Sequence, residues 1–291
     1  MIDFMPVMIS GIASGSAYAL LALGLVVIFR STHTVNFAIG DLGTLGVYVA
    51  ASALAYNVPF FLVFLLAVGV SGSIGVASER LLVRPLGTRK NFVFLALVVT
   101  IGLSLFIQAL VGAVWGHQMV SFPPLVPGNT EVAGVTISWN KIFATGLAVV
   151  AMIFIGWFFA FTPFGTAMRA TAEDPFAGRI IGLDGNRIRM VAWFLGCGLS
   201  AIGMLILAAE TALTPTLAHQ GLFRAFAAVF LGGLTSMPGA AVAGFVIGVL
   251  ENIAGRYVSA AFRDTIVFGL IVAVLFIRPS GILGRRSTER V

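Results

Sequence analysis

Regularly spaced polar side chains lie within otherwise apolar stretches of this 291-residue chain. Thr100, Ser104 and Gln108 recur at every fourth position, which places all three on one face of a helix. A second group, at the start of an earlier apolar stretch, consists of Asn36, Asp41 and Thr44. Polar groups in an apolar medium cost free energy unless they pair or line water. The two groups therefore predict hydrogen bonds between helices or a polar pathway, and helix capping is a further alternative for Asn36 and Asp41.

A glycine-rich break interrupts the apolar run of residues 222–257. It reads Gly232-Gly233-Leu234-Thr235-Ser236-Met237-Pro238-Gly239 and predicts a broken helix pair. In a bilayer, helix ends at depth are tolerated only against protein or a water-filled cavity, and helix N-termini there offer N–H groups to anions. Gly232, Gly233, Ser236 and Gly239 are therefore candidate pathway residues. Close packing of small residues is the alternative interpretation.

A charged loop, residues 162–189, predicts two short helices. The stretch from Met168 to Ala172 has good helix formers, Asp174-Pro175 suits a helix start, and Gly182 can end the second helix. A flat helix pair with both charge signs and exposed apolar residues can dock into a groove on a cytoplasmic partner. A solvated connector with interfacial arginines is the alternative interpretation.

Several kinds of chemistry are not favoured by the sequence. Cys197 is the single cysteine, and His33, His117 and His219 are scattered over both predicted faces, which disfavours a metal site. Residues 11–15, Gly-Ile-Ala-Ser-Gly, resemble a serine-protease nucleophile turn, but their spacing differs from G-x-S-G. The phosphate-binding pattern G-x-x-x-x-G-K-[ST] is not found, so we expect no cofactor on this chain.

The elements that carry these residues are predicted to be membrane helices. Hydrophobic residues make up 59% of the chain and charged residues 10%, and the mean hydropathy is +1.06. Spans of about 20 apolar residues are predicted at 6–29, 35–56, 60–82, 92–115, 142–161, 190–213 and 265–277, with the broken pair at 222–257. The sequence therefore predicts one all-α polytopic membrane domain, residues 1–291, with about eight transmembrane segments.

The basic residues indicate an orientation for this domain. Alternating spans place 13 of the 17 on one side: Arg30, Arg80, Arg84, Arg89, Lys90, Arg169, Arg179, Arg187, Arg189, Arg278, Arg285, Arg286 and Arg290. Lys141, Arg224, Arg256 and Arg263 fall elsewhere. Lysine and arginine mark cytoplasmic loops, so the N-terminus is predicted outside and the C-terminus inside. The division of 13 basic residues against four holds only if the broken helix pair at 222–257 enters the membrane and returns to the same side.

Two further predictions concern the opposite side. The loop of residues 116–140 is predicted to be extracytoplasmic, and its prolines and β-like residues 132–138 favour an ordered cap. Glu210 and Glu251 are predicted near the outer ends of their helices, within reach of Arg224 and Arg256. Ion pairing is the favoured interpretation there, because interfacial charges need no functional explanation.

Motifs along nearly the whole chain resemble one family, the LivH/LivM permease subunits of branched-chain amino acid ABC importers. In the charged loop, the matching residues are Arg169, Ala170, Asp174, Pro175, Ala177 and Gly182. The other matching segments are residues 18–25, 36–41, 46–48, 84–86, 100–104, 231–240 and 278–284. The chain is more similar to LivH than to LivM, which has extra N-terminal hydrophobic segments.

The resemblance implies a fold of the type II ABC importer permease kind and a translocation subunit that is not an enzyme. It implies a LivM-like second permease, two LivG/LivF-like ATPases that bind ATP and magnesium, a substrate-binding protein, membrane lipid and no nucleic acid. The implied location is the bacterial inner membrane. The implied coupling residues in the charged loop are Arg169, Ala170, Glu173, Asp174, Pro175, Ala177, Arg179 and Gly182.

Departures from the family pattern leave the substrate open. Ile39 stands where many relatives have His or Gln, and Gly178 where alanine is common. Similar members take up branched-chain amino acids, urea, short amides or aromatic and other organic acids. An ion-coupled secondary transporter is the alternative function. It predicts ionisable relays inside the membrane, whereas the candidate carboxylates are expected near helix ends.

Overall fold

The computed structural model describes residues 4–87, 89–132, 135–173, 178, 180–278 and 281–282. Within these residues, six helices are long and apolar enough to cross a membrane: Phe4–Thr32, Phe60–Leu86, Phe92–Trp115, Trp139–Phe161, Gly185–Glu210 and Met237–Tyr257. Shorter apolar helices accompany them. The predicted all-α polytopic membrane fold is confirmed. The number of about eight segments stays a prediction.

The described chain contains these α-helices: α1 (Phe4–Thr32), α2 (Ile39–Leu54), α3 (Phe60–Ser78), α4 (Phe92–Trp115), α5 (Trp139–Phe161), α6 (Pro163–Glu173), α7 (Gly185–Glu210), α8 (Leu217–Gly232), α9 (Met237–Tyr257) and α10 (Arg263–Ile277). After α3, the chain continues through a π-helical turn, Glu79–Val83, and a 3-10 turn, Arg84–Leu86. A 3-10 turn, Ala260–Phe262, precedes α10.

Helices α1 and α7 form the centre of the bundle. Residues 15–28 of α1 are all buried, and α1 is apolar around its whole circumference, as expected of a helix enclosed by others. The two helices cross where Gly24 faces Gly196, since a Cβ atom on Gly24 would overlap the carbonyl oxygen of Gly196. Small residues thus let the central backbones touch, and dispersion contacts hold them.

Helix α2 begins about half way across the membrane. The carbonyl oxygen of its first residue, Ile39, accepts a hydrogen bond from Ser200 Oγ (2.7 Å), and Ser200 lies about 22 Å along α7 at 1.5 Å per residue. Residues 33–38 therefore connect the end of α1 to this mid-depth position without helical structure. Backbone of this kind is tolerated at depth only inside protein, and Asn36 and Ala38 are indeed buried. The predicted span 35–56 began its helix too early, because Asn36 Oδ1 accepts the Ala38 N–H (2.9 Å) in a local turn.

The predicted helix break is confirmed between α8 and α9. Gly233 has a φ of +103°, a conformation that favours glycine after a helix end, and Ser236 Oγ accepts the Gly239 N–H (3.1 Å) to cap α9. The backbones of Gly232 and Gly239 touch, so this turn is closely packed. Helix α8 starts at Leu217, five residues before the predicted start, and its 16 residues measure about 24 Å.

The loop of residues 116–140 is ordered where the structure describes it. Strands β1 (Asn129–Val132) and β2 (Val135–Ser138) pair antiparallel, with Asn129 opposite Ser138. Val120 pairs with Leu213 after α7, and Asn140 Oδ1 accepts the Leu125 N–H (2.8 Å). The loop is thereby attached to the end of α7 and to the start of α5, in agreement with the predicted cap.

Large apolar side chains line the outer faces of α4 and α5. These are Phe94, Val98, Leu105, Phe106, Val150, Ile153, Phe154 and Trp157, all exposed. Surfaces of this kind suit hydrocarbon, so we assign both faces to lipid contact. They provide matched control positions for substitutions on the polar surface of the bundle.

Candidate functional site

Three predicted pathway residues meet at a polar chain that joins α2, α4 and α8. Asp41 is 1% exposed, and its Oδ2 accepts a hydrogen bond from Ser104 Oγ (2.6 Å). Gln108 Nε2 donates to Ser104 Oγ (3.2 Å) and lies 2.8 Å from His219 Nε2. The predicted inward face of α4 thus makes hydrogen bonds between helices. Asp41 does not cap α2, and at the depth of the α2 start it is far from the membrane surface.

Two polar atoms around the start of α2 are buried without a protein partner. Within the described residues, Asp41 Oδ1 and Asn36 Nδ2 have no hydrogen bond. A buried group left in this state costs about 1–3 kcal/mol. Their proximity to the start of α2 marks a place where water or a polar ligand would be stabilised.

The remaining predicted pathway residues lie outside this polar chain. Thr44 and Thr100 donate to carbonyl oxygens of their own helices, those of Gly40 (3.0 Å) and Leu97 (3.1 Å). Gly232, Gly233, Ser236 and Gly239 form the tight turn at the far end of α8 from His219. That turn also receives the chain after α10, since the Ile282 N–H donates to the Leu231 carbonyl oxygen (2.8 Å). Its geometry agrees with close packing by small residues.

A second polar cluster joins α8, α9 and α1. Arg224 Nε donates to Glu251 Oε2 (2.8 Å), and the guanidinium lies 5.7 Å from the centre of the Tyr18 ring. Tyr18 is the central residue of α1, so this ion pair lies deep in the membrane. The predicted pairing of Glu251 with Arg224 is confirmed, but both residues lie deeper than predicted, because α8 starts five residues earlier than expected. Glu210 instead accepts a hydrogen bond from Ser14 (3.2 Å).

The two clusters share one face of α8. His219, Gln220, Phe223 and Arg224 follow the i, i+1, i+4, i+5 spacing of a single helical surface, and both His219 and Gln220 are exposed. These four residues line a cavity of about 150 Å³ together with Val267 and Phe268 of α10. The cavity contains a guanidinium, an imidazole and a carboxamide beside apolar walls. Such a set can bind a small polar group that carries a hydrocarbon part.

A larger apolar cavity of about 390 Å³ adjoins it. Its lining residues are Val35, Phe37, Val93, Leu97, Phe223, Phe226, Ala227, Phe230, Phe268 and Ile271. Phe223 and Phe268 line both cavities, with ring centroids 6.2 Å apart and ring planes at 72°. Because Val93 belongs to the first turn of α4, the apolar cavity extends from mid-depth toward the side with most basic residues.

The charged loop begins with α6, as predicted for its first half. Thr162 Oγ1 accepts the Gly165 N–H (3.0 Å), Pro163 occupies the first helical position, and Met168 is buried against the bundle. Arg169, Ala170 and Glu173 lie partly or fully at the surface. Gly182 has a φ of +82°, which suits a helix end. Asp174, Pro175, Ala177 and Arg179 lie outside the described residues.

Comparison with known proteins assigns the family. Residues 7–275 match the family model described as "Branched-chain amino acid transport system / permease component". The chain belongs to this permease family. It is 30% identical to the high-affinity branched-chain amino acid permease LivH of Escherichia coli K12, over 99% of this chain and 98% of LivH. It is 30% identical to BraD of Pseudomonas aeruginosa, over 98% and 97%.

The fold of this permease also has a solved counterpart. PsaBC from Streptococcus pneumoniae in complex with Fab matches with a TM-score of 0.52 and 13% identity, over 95% of this chain and 92% of that one. At this identity the likeness concerns the fold alone. As a member of its family, the permease is the membrane-embedded translocation subunit of an ABC importer and works with ATPase and substrate-binding components.

Sequence reasoning missed one further cluster of this permease. Glu79 is 0% exposed and accepts hydrogen bonds from Arg84 Nη2 (2.7 Å) and Arg189 Nε (3.2 Å). It ties the end of α3 to the start of α7, beside a cavity of about 450 Å³ that Thr171 of α6 also lines. The sequence did contain a signal for this cluster. Glu79 is an acidic residue inside the predicted span 60–82, and such a residue requires a partner.

His219, Arg224 and Glu251 also belong to the site but were not predicted as pathway residues. Their types carried a signal, because ionisable residues inside a membrane protein mark functional positions more often than structural ones. The signal was overlooked because residues 217–221 were predicted to be outside the helix. Once α8 is extended to Leu217, His219, Gln220 and Arg224 fall on one face.

Proposed function

We propose that this permease moves a neutral amino acid with an apolar side chain, or a related small organic acid or amide, across the bacterial inner membrane. An extracytoplasmic binding protein delivers the substrate. Two LivG/LivF-like ATPases hydrolyse ATP with magnesium on the cytoplasmic side, and a LivM-like permease forms the other half of the pathway. The relatives LivH and BraD, described as branched-chain amino acid permeases, support the substrate class.

The observation that carries this proposal is the exposed polar face of α8 at mid-depth. His219 and Gln220 are exposed and the Arg224–Glu251 pair lies beside them, yet the outer faces of α4 and α5 are wholly apolar. Charged and polar side chains do not face hydrocarbon, because they face a bundle interior or a water-filled cavity. The polar face is therefore the side on which substrate crosses and the second permease packs.

The basic residues support an orientation with the N-terminus outside and the C-terminus in the cytoplasm. The loop of residues 116–140 then faces the binding protein, and α6 with residues 178 and 180–185 faces the ATPases. Ile180 and Ile181 are each 70% exposed beside a groove of about 280 Å³ between α6 and the start of α7. Exposed apolar side chains in the same loop as Arg169 and Glu173 suit docking into a partner groove.

Reversing the charge of Arg169 tests the docking of the ATPases. We expect Arg169→Glu to weaken co-purification of the ATPase subunits and lower substrate-stimulated ATP hydrolysis about tenfold, the effect of losing roughly 1.4 kcal/mol. The matched control is Arg256→Glu, an exposed arginine at the other end of the bundle. Equal ATPase recovery from both variants would contradict docking at α6.

One observation favours a second candidate, an ion-coupled secondary transporter. Asp41 and Glu251 lie deep in the membrane and not near helix ends, which is where a coupling carboxylate would be expected. This candidate predicts accumulation driven by a proton or sodium gradient without any ATPase. Collapse of that gradient by an ionophore, with ATP present, would stop its transport and leave ABC transport intact.

A further inference from the structure

The two cavities on the α8 face have opposite chemistry and one common wall. Donors from Gln220 and Arg224 line the smaller cavity, and hydrocarbon lines the larger one. Phe223 and Phe268 separate them. Building on the proposed function, we propose that the polar cavity binds the carboxylate of a zwitterionic, apolar amino acid and that the Phe223–Phe268 pair is the gate below it.

The two cavities are stacked along the direction of transport. The smaller one lies level with Tyr18, at the middle of α1, through the contact of that ring with Arg224 (5.7 Å). The larger one reaches Val93 in the first turn of α4 and Val35 in the segment after α1. A solute that moves inward along α8 therefore meets donors first, then two aromatic rings, and then apolar walls.

The aromatic pair has the properties of a movable barrier. Phe223 is 54% exposed and Phe268 45% exposed, so neither ring is locked inside the packed core of this chain. An edge-to-face aromatic contact contributes only about 0.5–1.5 kcal/mol beyond its buried area. Rotation of one side chain would join the two cavities at small cost, and relative movement of α8 and α10 would have the same result.

The charges of the smaller cavity select the ligand class. A guanidinium and a carboxamide are good donors to a carboxylate. The Arg224–Glu251 pair sums to zero charge, so a zwitterion enters with less electrostatic cost than a lysine or a glutamate would. The adjoining hydrocarbon surface is available to an aliphatic side chain but offers nothing to a charged one. The site therefore suits leucine-like substrates.

Thiol labelling of the assembled transporter tests the site. The transporter, with its ATPases and binding protein in proteoliposomes, carries Gln220→Cys in a Cys197→Ala background, which removes the single native cysteine. The matched control is Phe106→Cys on the lipid face of α4, a position that is 64% exposed. A charged methanethiosulfonate reagent does not partition into hydrocarbon, so we expect Gln220→Cys to react at least about tenfold faster than the control.

Saturating leucine should slow the labelling of Gln220→Cys, whereas lysine at the same concentration should not. The double variant Phe223→Ala/Phe268→Ala should let accumulated leucine leak out without ATP. Loss of uptake by a Gln220→Cys variant that is labelled in the assembled complex would also support the site, because this side chain lines it. An unreactive Gln220→Cys in a complex that still transports would overturn the proposal and identify this face as a packed contact with the second permease.

The same vesicles separate a failure of the site from a failure of the proposed function. ATP-driven leucine uptake is measured with the unaltered complex alongside the variants. If the site is wrong, that uptake persists while Gln220→Cys stays unreactive or leucine gives no protection. If the proposed function is wrong, the unaltered complex itself fails to accumulate leucine with ATP.

Discussion

Glu251→Ala is expected to destabilise the permease by about 3–5 kcal/mol and to abolish transport, because it leaves the Arg224 guanidinium deep in the membrane without its carboxylate. Glu251 is almost completely buried, so solvent cannot compensate for the lost charge. The measurements are the unfolding temperature in detergent and ATP-driven uptake in proteoliposomes. Arg256→Ala, an exposed arginine at the end of α9, is the control and should behave like the unaltered protein.

The double variant Arg224→Leu/Glu251→Leu separates folding from function. Replacing a buried ion pair by apolar residues of similar volume is often neutral or stabilising, so we expect the unfolding temperature to recover. Transport should remain lost, because the polar cavity then offers the substrate no guanidinium. A double variant that folds and transports normally would show that the pair serves packing alone.

Asp41→Ala is expected to have the second largest effect. It removes the acceptor of Ser104 Oγ and leaves the proton of that buried hydroxyl without an acceptor, at a cost of about 1–3 kcal/mol. Because Ser104 also accepts from Gln108, which contacts His219, the loss should disorder the polar chain up to the exposed face of α8. We expect uptake to fall about tenfold or more, since 1.4 kcal/mol corresponds to a factor of ten.

The control for Asp41 is Thr44→Val, one turn later on the same helix. The Thr44 hydroxyl donates only to the Gly40 carbonyl oxygen of its own helix among its hydrogen bonds in the described chain, so its removal should change uptake little. Equal activity of both variants would contradict a role for the polar chain. Asp41→Asn adds a further distinction, because a secondary transporter that used this carboxylate would lose its gradient-driven accumulation.

Features that depend on short-range sequence signals, such as turns, helix caps and helical periodicity, were predicted correctly. The Gly232–Gly239 break became the turn between α8 and α9, because glycine suits the positive φ of residue 233 and Ser236 caps the next helix. In the predicted β-like stretch 132–138, residues 135–138 form strand β2, which pairs antiparallel with β1. The face of Ser104 and Gln108 points into the bundle, as helical periodicity predicted. In each case the determining physics lies within a few residues of the feature.

Depth in the membrane could not be predicted in the same way. Hydropathy measures transfer from water and does not register neighbouring helices, so residues 35–38 were assigned to a helix although they are non-helical chain in which Asn36 and Ala38 are buried. The polar residues His219 and Gln220 made the start of α8 resemble a loop. Arg224 was therefore predicted nearer to the membrane surface than it lies. The partners themselves are remote, since Asp41 and Ser104 are 63 residues apart and Gln108 and His219 are 111 apart.

The most direct test of the central claim, ATP-driven translocation along the polar face of α8, is leucine accumulation in proteoliposomes that contain the permease, its partner permease, the ATPases and the binding protein. Accumulation against a gradient should require ATP inside the cytoplasmic-side compartment and should fall to background in the folded Arg224→Leu/Glu251→Leu variant. Accumulation that proceeds without ATP, or that is unchanged in this variant, would contradict it.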